Sequence, residues 1–343
     1  MQLWLDAVLI VAAAALMDRA GELPNRIHPL RWIGNTAGFL DRRIKNRAAK
    51  ANRLWGALSY LLVFLLFWTA ALAVCAALKY YVPGTFAIGP VESSYGEVLW
   101  ILASAAVFKF SFAVFSFRSH CDPIRKDLRD GKVEDAAAKV QMIVSRRTEG
   151  MDAGHIASSC CETVSENLVD SIISPAAYFG LLGLPGAVMF RCANLMDAMW
   201  GYLNDKYRTL GFFPAKFDDV LGYATSRASP VFIAAAAWLL RMEHRGVIAA
   251  AREEHGKTPS PNSGWPMTAF AAALNISMEK KDVYVMGKGP MPSVDDISRC
   301  CCLLEVASLI FIFAVALPLY AFIGIHVQSF TEEAFRNILE ALF

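Results

Sequence analysis

Residues 55–82 read WGALSYLLVFLLFWTAALAVCAALKYYV, with no charged side chain before Lys79. At about 1.5 Å of rise per residue, a helix over this stretch exceeds the roughly 30 Å hydrocarbon core of a bilayer. Lys79 lies near its end, where a long side chain can carry its ammonium to the interface. The stretch predicts a transmembrane helix. Its surroundings agree, since 56% of the residues are hydrophobic and only 19% charged, a more apolar balance than in ordinary soluble domains.

Further apolar runs extend the pattern. Residues 303–325 carry only Glu305, 98–117 are interrupted by Lys109, and 1–17 are apolar except for Asp6. The first run has no basic segment ahead of it and no small-residue cleavage site, so it reads as a retained helix and not a secretory signal. The expected fold is therefore all-α, a polytopic helical membrane protein built as one membrane-embedded domain over 1–343. Spans are expected at 1–17, 55–82, 98–117 and 303–325. Residues 172–242 are expected to associate with the membrane, with crossing left open.

The basic loop from Asp41 to Arg47, with Lys50 and Arg53, precedes the 55–82 span, whereas 83–97 hold no Lys or Arg. The positive-inside rule places 18–54 in the cytoplasm, and the motif regions 118–170 and 243–300 with them, in a multi-pass protein of the cell membrane. No aromatic-interleaved basic groove accompanies these charges, which argues against nucleic acid as a partner. Eight cysteines, including Cys160-Cys161 and Cys300-Cys301-Cys302, show no C-x-x-C spacing. They read as small buried residues.

Between the spans, Asp130-Gly131 predicts a turn and 133–144 a short helix. Ser174-Pro175 predicts an interruption, and 176–189 two helices meeting at a glycine turn. Residues 230–242 predict a short buried or re-entrant helix, and 252–264 a loop.

Chemistry concentrates in Glu162-Thr-Val-Ser-Glu166-Asn167-Leu-Val-Asp170, whose three carboxylates recur at four-residue spacing. On one helix face they repel, so the stripe calls for a cation such as magnesium, Arg or Lys. Arg146-Arg147-Thr-Glu149-Gly-Met-Asp152 lies just upstream. A second set, Arg191, Asn194 and Asp197, shares one side of a helix.

These blocks, in this order, resemble the adenosylcobinamide-phosphate synthase family of cobalamin biosynthesis. Gly21-Glu22-Leu23-Pro24, His28-Pro29 and Trp32-Ile33-Gly34 are similar to the family's opening. Arg146 to Asp152 resembles R-D-T-E-G-x-D, and Glu162 to Asp170 resembles E-[ST]-V-A-E-N-L-V-D. Arg191 to Tyr202, with Lys206-Tyr207, Gly211 and Ala215 to Asp219, is similar to a fourth block. Ser260-Pro-Asn262-Ser-Gly-Trp265-Pro266 matches S-P-N-[AS]-G-W-P. The departures are Arg147 for Asp, Leu23 for Pro, Met267 for an acidic residue and Ser171 for Gly.

The resemblance implies an ATP-dependent amide ligation of adenosylcobyric acid with aminopropanol or its phosphate. An activated carboxylate needs phosphoryl charge met by magnesium and by Arg or Lys. Glu149, Asp152, Glu162, Glu166, Asp170 and Asp197 are the expected catalytic carboxylates, with Glu166 and Asp170 as magnesium ligands. Arg146, Arg191 and Lys216 are expected on phosphate, and Asn167 and Asn194 on amine or corrinoid amides. Asp218, Asp219, Asn262, Trp265 and His28 complete the substrate set. ATP and magnesium are the implied co-substrate and cofactor, and membrane lipid a partner. A non-catalytic membrane sensor on the same fold is the alternative.

Overall fold

A computed structural model of the chain describes residues 2–22, 24, 26, 28–44, 48–88 and 91–342. Leu23 of the opening block and Lys45, Asn46 and Arg47 of the basic loop lie outside the described residues. Helices make up 77% of the structure, which settles the all-α class.

In chain order the first elements are α1 (Gln2–Ala20), α2 (Pro29–Arg43), α3 (Ala49–Tyr81), the hairpin β1 (Thr85–Ile88) and β2 (Val91–Ser94), α4 (Tyr95–Lys109), α5 (Ser116–Arg129), α6 (Val133–Gln141) and α7 (Ala153–Leu168). There follow α8 (Ser174–Leu182), α9 (Leu184–Trp200), α10 (Tyr207–Leu210), α11 (Phe212–Leu239), α12 (Val247–Glu254) and α13 (Gly264–Leu274). The chain ends with β3 (Met278–Lys280), β4 (Tyr284–Met286), α14 (Val294–Phe311), α15 (Leu317–Leu319) and α16 (Ile325–Leu342). Both hairpins are antiparallel, pairing Thr85 with Ser94 and Met278 with Met286.

The contacts divide the chain into two compact units, the first comprising 1–112, 175–218 and 314–343, the second 113–174 and 219–313. In the first unit α3 packs against α2, α4, α9, α10 and α16. Phe179 stacks between Phe108 and Tyr320, with ring centroids 3.8 and 4.0 Å away. Buried Glu332 accepts from Lys79 Nζ at 3.0 Å, Trp100 Nε1 at 2.8 Å and Gln328 Nε2 at 3.0 Å, so a charge on α16 is fully met by α3, α4 and its own helix. Gly183, at φ +69°, turns the chain from α8 into α9 where two helices were expected to meet.

In the second unit α7 is the central helix, packed by α5, α6, α13, α14 and β3. Cys121, Cys160, Cys161, Cys300 and Cys301 fill the contacts of α5, α7 and α14 as buried free thiols. Their small side chains let the three helices approach closely.

Among the described residues, two helical runs are long and apolar enough to cross a membrane, Ala49–Tyr81 and Val294–Leu342. They point to membrane association and coincide with two of the four expected spans. The other two differ. Residues 98–117 do not form one helix: α4 ends at Lys109, whose ammonium pairs with Asp18 at 2.9 Å and Glu22 at 3.0 Å. Ala113 N then donates to Ser171 O at 3.0 Å outside any helix. At about 1.5 Å per residue, the 15 residues of α4 fall short of the hydrocarbon core. The helix over 1–17 extends to Ala20 and takes in Asp18 and Arg19.

Prolines account for the other corrections. Ser174-Pro175 does not interrupt the helix, because a π-turn at Val169–Ile173 leads directly into α8 and Pro175 occupies its first turn. Residues 230–242 are not a short helix of their own but largely the end of the 28-residue α11, with Pro230 inside it. The carbonyl that Pro230 cannot bond, that of Ser226, accepts from Ser229 Oγ at 2.8 Å. Pro318 likewise sits between π-turns at Ile312–Ala316 and Tyr320–Gly324. Residues 252–264 are only partly loop, since α12 runs to Glu254 and a 3-10 turn follows at His255–Lys257.

Candidate functional site

The acidic stripe lies on α7 and the π-turn after it, and its members have different fates. Glu162 is buried, accepting from Arg146 Nη2 at 2.8 Å, Tyr284 Oη at 2.7 Å and Ser158 Oγ at 3.2 Å. Arg146 therefore removes one of the three like charges that the spacing brings together. Glu166 and Asp170 are half-buried. Asp170 falls in the π-turn, which widens the helix and displaces later residues from a straight four-residue row. Burial and the Glu162 carboxylate push the Tyr284 phenol well above its ordinary value. It is thus held protonated as a donor.

Asp152 has a local task. It caps α7, accepting from His155 N and contacting His155 Nδ1, both at 2.9 Å. The backbone bond from His155 leads in holding its carboxyl below the ordinary 3.8. Glu149 is exposed, as is Arg147, so the charge reversal in this block falls on the surface beside Arg146. Asn167 donates to Thr163 O at 2.8 Å and accepts from Ser171 Oγ at 2.7 Å, which uses part of its amide within the helix. Ser171, the residue standing for Gly, is its partner.

A second cluster in the same unit gathers around Asn262. Its Nδ2 donates to Asp219 O at 2.9 Å, and its Oδ1 accepts from Ser226 Oγ at 3.3 Å and Arg227 Nη1 at 3.4 Å. Gly222 makes this possible, because a Cβ there would stand 2.7 Å from Asn262 Nδ2. Trp265 stacks on His255 at 4.1 Å, and the Arg227 guanidinium lies 3.4 Å from the Tyr223 ring centroid. The motif Ser260 to Pro266 is thereby closed onto α11.

Within the first unit, His28 caps α2 and contacts Glu22 at 2.9 Å. Burial acts to raise the Glu22 carboxyl, but hydrogen bonds from His28 and Lys109 outweigh it and leave the group below its ordinary value. Arg191 Nη1 donates to Asn194 Oδ1 at 3.1 Å. Arg191 also lines a cavity of about 260 Å³ with Trp32, Ile33, Phe67, Val74 and Phe110, so the opening block and the fourth block meet at one apolar space. Lys206 and Tyr207 of the fourth block both reach Asp41, at 2.7 and 3.1 Å. Asp197 and Asp218 are half-buried and Lys216 exposed, all three in this unit.

Sequence reasoning missed Tyr284, Ser158, Arg227 and the Asp18–Lys109 pair. Lys109 and Asp6 stood out only as charges in apolar runs; the partners of Lys109 are 87 and 91 residues upstream, at Glu22 and Asp18. No spacing rule connects Tyr284 to Glu162. Among the described residues, no three His, Cys, Asp or Glu side chains converge as a preformed metal centre. Magnesium commonly uses only one or two carboxylates plus water and phosphate, so this absence does not exclude a site on the half-buried Glu166 and Asp170.

The family model described as CobD/Cbib protein matches residues 11–303. A probable cobalamin biosynthesis protein CobD of Methanothermobacter thermautotrophicus is 34% identical over 284 residues, covering 82% of this chain and 88% of that protein. Its counterpart in Methanocaldococcus jannaschii is 33% identical over 285 residues, covering 82% and 88%. The cobalamin biosynthesis protein CobD of Dehalococcoides mccartyi is 29% identical over 297 residues, covering 86% and 92%. No solved structure matches the chain. The chain belongs to the CobD/Cbib family.

Proposed function

We propose that this member of the CobD/Cbib family acts in cobalamin biosynthesis as an ATP-dependent ligase, joining a propionate carboxylate of adenosylcobyric acid to aminopropanol or its phosphate. The observation that supports it most is that separate motif blocks bond to one another, Arg146 with Glu162 in the next block and Asn262 with Asp219, 43 residues upstream. Blocks that served only to pack helices would not need a buried ion pair and an amide network to hold them together, since apolar side chains do that at lower cost.

In this reading a substrate carboxylate oxygen attacks the terminal phosphorus of ATP and ADP leaves. The amine then attacks the acyl carbon of the resulting acyl phosphate, a proton departs from nitrogen, and phosphate leaves with the former carboxylate oxygen. Magnesium, when bound, neutralises charge on the phosphates, and Glu166 and Asp170 would hold it. In the second unit Arg146 supplies positive charge for phosphate; in the first, Arg191 and Lys216 do so, and the cavity beside Arg191 offers Trp32 and Phe67 to an apolar part of a substrate. Glu162 acts by fixing Arg146 and Tyr284.

Replacing Glu166 or Asp170 with Ala tests the assignment. Turnover should fall by a factor of at least about a hundred, as when a group aligned with developing charge is lost, while thermal stability stays within about 0.5 kcal/mol. Unfolding of either variant, or full activity in both, contradicts the assigned role.

A further inference from the structure

The C-terminal turn of α2 ends in Arg42 and Arg43, both exposed, and among the described residues no carboxylate pairs with either. Next to Arg43 lies a cavity of about 310 Å³ walled by Leu40, Trp55, Leu58 and Leu62, with Arg43 and Ser59 as its polar members, while Arg42 lies toward Gly38 on another side of α2. Trp55, Leu58, Ser59 and Leu62 recur at helical spacing, so one face of α3 makes the wall. Arg43 lies 4.9 Å from the Phe39 ring centroid, a contact that biases its guanidinium within the α2 end. From this cavity α3 continues as the more exposed of the two long apolar runs, with Leu61, Leu65 and Leu66 uncovered.

The slot thus joins a cationic end to an apolar wall that runs on into a lipid-length surface. A free phosphate would satisfy only the arginine, and an uncharged lipid only the wall. A tetrapyrrole is too large for a space near the lower end of ligand pockets, roughly 300 Å³. We propose that this cavity binds an anionic phospholipid, with its phosphate on Arg43 and the start of one acyl chain along Leu58 and Leu62. The site fixes the depth of α3 at the headgroup level, where Trp55 is also suited to lie.

Full-length protein reconstituted in nanodiscs of phosphatidylcholine with a minor share of phosphatidylglycerol, then examined by native mass spectrometry, tests this directly. Wild type should retain phosphatidylglycerol in preference to phosphatidylcholine. Arg43→Gln should lower that preference by about five-fold, the contribution of one basic side chain at an anionic surface. Arg43→Lys keeps the charge and should retain most of it. Equal preference in wild type and the Gln variant, no preference in wild type, or loss in the Lys variant as complete as in the Gln variant would each overturn the proposal.

Discussion

Helices α3 and α7 invert the ordinary relation between polarity and burial. Apolar α3 leaves Leu61, Leu62, Leu65 and Leu66 uncovered, and only 22% of its most apolar window is buried. By contrast α7, with Glu162, Ser158, Ser159 and Ser165 among its residues, is buried along most of its length. A soluble protein would cover the first and expose the second. The difference suggests an apolar surrounding for the uncovered face of α3, whereas α7 is shaped for polar partners supplied by the protein itself. On α7 the buried hydroxyls are bonded as Glu162 is, Ser159 Oγ donating to His155 O at 2.8 Å and Ser165 Oγ to Glu162 O at 2.9 Å, whereas on α3 the uncovered face needs no such partners.

Breaking the polar arrangement should have the largest effect. Arg146→Ala leaves Glu162 as a buried carboxylate without its cation and should cost about 3–5 kcal/mol, read from thermal or denaturant unfolding. A double-mutant cycle with Glu162→Gln should return part of that loss, because the uncompensated charge is then gone. If Arg146→Ala is neutral, α7 does not depend on the pair.

The apolar helix sharpens the comparison from the other side. Leu66→Arg, at a position 51% exposed, should disfavour membrane insertion by about 2.5–3.5 kcal/mol, measured as the inserted fraction, while Leu66→Ala should change little. Tolerance of the arginine would mean that α3 faces water.

These two helices were not equally legible in the sequence. The run 55–82 shows α3 because hydropathy is a local property, and the motif blocks mark α7. What failed depended on distant partners or on local repairs of the helix backbone around proline. Lys109 was expected inside a span, yet Asp18 and Glu22 meet it at the end of α4. Pro230 marked a helix start, yet Ser229 satisfies the carbonyl that proline strands, and α11 continues. Ser174-Pro175 was expected to interrupt, and a π-turn absorbs it. The residues of the candidate site were visible as blocks, but the burial of Glu162 and the part of Tyr284 were not, because 122 residues separate the two.

A smaller effect tests how far α7 depends on its own cap. Asp152→Ala should cost about 1 kcal/mol, the usual contribution of an N-cap. The Asp152 carboxyl is held below 3.8 in the fold, so its contribution is present above about pH 4 and is lost as pH falls through the depressed value. The stability difference between wild type and variant should therefore shrink in acid. A constant difference would show that the carboxylate's charge is not what caps the helix.

The ligase assignment itself is tested most directly by incubating purified protein with adenosylcobyric acid carrying labelled oxygen in the reacting carboxylate, aminopropanol phosphate, ATP and magnesium, and weighing the products. The account predicts adenosylcobinamide phosphate, ADP and label in the released phosphate. Label in AMP would replace the acyl phosphate by an adenylate and leave the ligation standing. Corrinoid that binds and is recovered unchanged, with no ATP consumed, would contradict the central claim and leave a sensor in its place.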